Sequence, residues 1–190
     1  LAANTAGYHN VAIGYGASDA NTHGIRNVSM GRDAHGLDTK GSYNVAIGDL
    51  ALATQNFTTA TDSYNTAVGA SAGTAITTGE QNTIVGAISG DALTTGGSNV
   101  SLGYFSLSAD TQGSKSTAIG RAALANQNFT TATNANNVAV GAQAGAQVTT
   151  GIDNVLIGTE TGDALTDADF NVAVGKVALT ADTLGSKSTA

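Results

Sequence analysis

A short alternation of apolar and small residues returns along the chain about every 17 positions. It first reads Asn-Val-Ala-Ile-Gly at residues 10–14. The core opens at Asn10, Asn27, Asn44, Asn65, Asn82, Asn99, Ser116, Asn137, Asn154 and Asn171. It closes on Gly14, Gly31, Gly48, Gly69, Gly86, Gly103, Gly120, Gly141, Gly158 and Gly175. With the first residue as position zero, position one is Val or Thr, position two is usually Ala or Ser, and position three is Ile, Val, Leu or Met. That is the period of a β-strand, with positions one and three on one face. The steps are 17 residues except for two of 21, and such self-similarity predicts a solenoid with one repeat per turn.

Two more columns repeat. Position twelve is Thr in the 17-residue turns (Thr22, Thr39, Thr77, Thr94, Thr111, Thr149, Thr166, Thr183), and position fourteen is Gly in all of these but one, where Ala168 stands. Two glycine columns predict two corners per turn, where φ is positive or backbones come close, and the simplest repeat has two short strands. The chain has no proline, which suits strands that must donate to both neighbours. A helix would lose roughly 1 kcal/mol at each Gly. The expected fold is all-β: a parallel β-solenoid, a β-roll or β-prism, of about eleven turns of 17 or 21 residues, roughly 50 Å long at the strand spacing.

A larger period is superimposed. QNFTTAT at residues 55–61 returns at 127–133, an offset of 72, so residues 45–116 and 117–188 are a duplication within one continuous segment, 1–190. Inserted residues leave a solenoid as loops on one side, where binding tends to reside. Phe57, Thr58 and Thr59, with Phe129, Thr130 and Thr131, are therefore candidate receptor contacts. The competing reading has each Phe packing its bulge onto the neighbouring turn.

Composition makes a single-chain core thin. There are four Phe, five Tyr and no Trp, and a turn brings about three large aliphatic side chains, such as Val45, Ile47 and Leu52. The small residues on the other strand face allow a second sheet to approach, so a core shared by three chains is expected. The net charge of −7 excludes nucleic acid and disfavours anionic membranes as partners. No apolar run is long enough for a membrane-spanning helix. Neither end carries a polar capping turn, nor is there a start Met, so a piece of a longer chain is expected.

Candidate chemistry is sparse. His9, His23 and His35 fall at different positions of their turns and read as exposed or loop residues. Asp167, Asp169 and Asn171 have calcium-loop spacing without the glycine that should follow. Asp91 with Asp163, and Asp110 with Asp182, could be glycosidase carboxylates, but recurring at the 72-residue offset they read as solvated turn residues. Without Cys or a nucleophile elbow, no catalytic, cofactor or metal site is expected. The Thr column could form an ice-binding array, against a plain structural ladder.

The repeated NVAIG core resembles the head repeats of trimeric autotransporter adhesins, whose shorter repeats read N-S-V-A-I-G. YNTAVG at residues 64–69 with Thr-Thr-Gly at 77–79 is similar to repeats of bacteriophage tail fibres and related bacterial surface proteins. The resemblance implies a left-handed parallel β-roll or β-prism, a homotrimer, serving as an extracellular shaft that presents a receptor-binding region. A cell-surface glycan or protein receptor is the partner this implies. The 17-residue period and the long turns depart from the adhesin pattern and favour a viral appendage. A bacterial adhesin binding through its loops is the alternative, and an ice-binding solenoid a second.

Overall fold

Asn at position zero and Gly at position four bracket one three-residue strand in each turn. The computed structural model describes residues 1–190. Ten such strands, from Val11–Ile13 to Val172–Val174, form a single parallel sheet. Like positions pair throughout, so Val45 faces Val28 on one side and Thr66 on the other. The chain is an all-β parallel solenoid of about ten turns. A second strand per turn is absent from most of the stack. It occurs only where Gly41–Ser42 pairs with Thr61–Asp62 and Gly113–Ser114 with Thr133–Asn134.

Side chains relay the backbone ladder from turn to turn. Asn27 Oδ1 accepts the N–H of Asn44 at 2.9 Å, while Asn27 Nδ2 donates to Gly41 O across its own coil at 2.9 Å. Most turns repeat both bonds, which satisfies a buried amide without water. The Thr column does the same at the opposite edge: Thr94 Oγ1 donates to Thr111 O at 2.9 Å, and Thr149 Oγ1 to Thr166 O at 3.1 Å.

The strand faces lie opposite to the expectation drawn from residue size. Position two points inward: Ala46, Ala67, Ala118 and Ala139 are fully buried. The larger pair at positions one and three points out, so Val100 and Leu102 are 36% and 43% exposed on either side of the buried Ser101. A 17-residue coil encloses room for one large aliphatic side chain per turn, and positions eight and eleven supply it. Turns with Leu52, Leu107 or Leu124 at position eight carry Gln55, Asp110 or Gln127 at eleven. Turns with Gly73, Gly90, Gly145 or Gly162 at eight carry Ile76, Leu93, Val148 or Leu165 at eleven. Two strands add bulk at position two where that glycine leaves space. A Cβ at Gly73 or Gly90 would lie 3.1 Å from Ile84 Cδ1, and one at Gly145 would lie 2.7 Å from Leu156 Cδ1.

The glycine columns are fixed by close approach. At Gly86, φ is 138°, and a Cβ would fall 2.4 Å from Gly103 O in the next turn. Other corners use left-handed residues that are not glycine, including Tyr43 at φ 62°, Leu52 at 49° and Ile88 at 46°. For a β-branched residue such as Ile88 that conformation is costly, and it persists because the stacked neighbours hold the coil in place.

Candidate functional site

The two long loops are built alike. Asp38 Oδ1 accepts the N–H groups of Gly41 and Phe57 at 3.0 Å each, and its Oδ2 receives Gln55 Nε2 at 2.7 Å. At the second long loop Asp110 Oδ1 accepts from Gly113 and Phe129 at 2.9 and 3.1 Å. The carboxylate of one turn thus anchors the start of the loop in the next. Phe57 and Phe129 are buried under these loops, whereas Thr58, Thr59, Thr130 and Thr131 are exposed. Each loop offers solvent a threonine surface, with its ring turned inward.

Two side chains differ from their sequence reading. Asp110 is fully buried, not a solvated turn residue, because position eleven lies on the inner wall. His35 is also fully buried rather than exposed, since it occupies the inward position-eight column, where Leu52, Leu107 and Leu124 stand in other turns. Its Nε2 lies 2.9 Å from Asp38 Oδ2 and 3.0 Å from Gln55 Nε2. Burial pushes the Asp38 carboxyl up, but the hydrogen bond and attraction of His35, with Gln55 and the Gly41 amide, outweigh it and hold it at about 2. The alternation between positions eight and eleven was the sequence signal for both.

The remaining candidates do not converge. His9 and His23 are exposed, His9 edge-on to Tyr8 and His23 Nδ1 2.9 Å from Thr22 Oγ1. Asp169 Oδ1 accepts the Ile152 N–H at 2.8 Å, Asp167 Oδ1 accepts from Thr166 Oγ1, and Asn171 Oδ1 receives the Ser188 N–H. Asp91 is half-buried, and burial raises its carboxyl above the ordinary value. Asp163, its equivalent, stands four turns away, about 19 Å along the stack. Most of the Thr hydroxyls of position twelve are donated to carbonyls of the next turn.

What stands out is the sheet itself. Positions one and three of ten strands present a largely aliphatic face roughly 45 Å long, broken only by Thr66, Thr83 and Thr117 at position one. Beside it, Tyr43 and Tyr64 stack at 5.1 Å between centroids, and Arg26 lies 5.3 Å from the Tyr43 centroid. No protein-family model matches the chain, and no curated protein or solved structure is significantly similar to it. No helix is long and apolar enough to cross a membrane.

Proposed function

We propose that the chain is a non-enzymatic shaft segment of a homotrimeric extracellular fibre, of viral tail-fibre or bacterial surface type, that spaces or presents a receptor-binding region. The observation that carries this reading is the outward aliphatic face. Soluble monomers rarely expose apolar patches beyond a few hundred Å², and a straight strip made mainly of Val, Ile and Leu along a rod suits copies packed side by side around a common axis. Each coil keeps its own small Ala and Leu core, so the shared core lies between chains. The exposed threonines of the long loops favour a second reading, a bacterial adhesin touching its receptor at two points along the rod.

Sedimentation of the purified chain tests the shaft reading. Three times the chain mass is expected, and Val68→Asp with Val140→Asp, both on the outward face, should yield single chains that keep their β signal. A wild-type monomer overturns the proposal.

A further inference from the structure

A groove of about 620 Å³ crosses three turns on the side of the coil that follows the strands. Two glycines line it where other turns carry side chains. Position six is glycine only at Gly16, and position nine only at Gly36; every other complete turn has a side chain at both places. Leu37 is the single large apolar residue of the position-ten column. With Tyr15 and Leu50 it supplies the apolar walls.

The polar groups are unusually one-sided. A Cβ on Gly16 would fall 2.0 Å from Asp33 Oδ1, so this carboxylate rests directly over the glycine backbone. Asp33 Oδ2 is taken by Arg32 at 3.2 Å, and Arg32 also reaches Asp49 at 2.9 Å. Asp19 uses Oδ1 to accept the Ala2 N–H at 3.3 Å. Thr54 gives its hydroxyl proton to Thr74 O at 2.7 Å. Asp33 Oδ1, Asp19 Oδ2 and the Thr54 oxygen are left as acceptors without partners. A fitting ligand carries several donors on one edge and an apolar face on the other.

We propose that this groove binds a pyranose unit of an extracellular glycan. The ring's C–H face would lie against Tyr15 and Leu37, and its hydroxyls would donate to Asp19, Asp33 and Thr54, the pairing of apolar wall and few fixed polar groups common to small-ligand sites. Arg32 offsets part of the carboxylate charge, so the groove offers acceptors more than net charge. All of these residues belong to one chain, so the proposal goes beyond the shaft reading without depending on it.

Saturation-transfer NMR tests this with neutral oligosaccharides of glucose, galactose, mannose and N-acetylglucosamine, and with trilysine as the cationic competitor. The mass of each sample is read by sedimentation, which separates failure here from failure of the trimer. Transfer to the ring C–H protons of at least one saccharide is expected. Tyr15→Ala should weaken it at least about tenfold. Gly36→Ser should remove it with the β signal unchanged: its Cβ would lie 3.2 Å from Asp33 O, and position nine accepts Ser108 elsewhere. No transfer to any saccharide, transfer unaffected by Tyr15→Ala, or binding of trilysine alone overturns the proposal.

Discussion

Gln127 Nε2 donates to Asp110 Oδ2 at 2.6 Å across a turn boundary, with both side chains fully buried. The other amide atom, Gln127 Oε1, accepts from Asn137 Nδ2 at 2.8 Å. One glutamine therefore ties together the turn before it, its own long turn, and the turn after it. Asp38, Gln55 and Asn65 repeat the arrangement, with Gln55 Oε1 accepting from Asn65 at 2.9 Å.

Gln127→Ala leaves the Asp110 carboxylate short of a partner inside the stack. A loss of about 2–4 kcal/mol is expected. Because repeat proteins open locally, proteolysis should begin in residues 127–134 of the variant before the rest of the chain. Urea melts and mapping of the first cleavage check both points.

Reversal of the strand faces gives opposite outcomes at adjacent residues. Ala118→Val overfills the buried side and should cost about 1–3 kcal/mol within a single chain. Ile119→Thr, on the outward side, should leave the stability of an isolated chain within about 1 kcal/mol and weaken self-association instead. Denaturation at several protein concentrations separates the two effects.

The sequence carried the 17-residue frame, the strand at Val45–Ile47 and the duplicated long loops. It did not carry which side of that strand faces in, because a period of two is symmetric: Val45 and Ile47 share a face whichever way it turns. Size then misleads, since large residues usually fill cores, but a coil this narrow admits Ala46 beside Leu52 and little more. Position eight against position eleven held the missing information, and both His35 and Asp110 follow from it. The groove at Gly16 and Gly36 was not legible, for it depends on side chains in two successive turns being absent at adjoining places.

Gly86→Ala should be among the most damaging small substitutions. It meets both a backbone at φ 138° and the Gly103 carbonyl, and a loss of about 3 kcal/mol or more is expected. Lys115→Gly is its converse: φ there is 64° on an exposed residue. Relief of the left-handed cost less the added chain entropy should give a gain of roughly 0.5 kcal/mol. Thermal denaturation of the two variants checks the signs.

Acid should weaken the anchor of the first long loop through Asp38. Its folded value, about 2, lies below the ordinary 3.8, so its contribution is complete above 3.8 and is lost as pH falls toward 2. The shift corresponds to about 2 kcal/mol. His35→Leu copies Leu107, its equivalent 72 residues on, removes the main group holding Asp38 down, and should flatten the pH dependence in that window. Urea midpoints between pH 5 and 2 measure the difference.

The asparagine relay has one interruption. Ser116 has no amide to offer Asn137; its Oγ lies 3.0 Å from Gln127 Nε2 instead. Hydrogen bonds between turns point along the stack, so a pull on the ends loads every junction in series, and the weakest yields first. Gln127 alone takes over the side-chain link to Asn137, accepting from it at 2.8 Å, so under tension the chain should part there once this one side chain lets go and then peel coil by coil, a graded tether rather than a brittle strut.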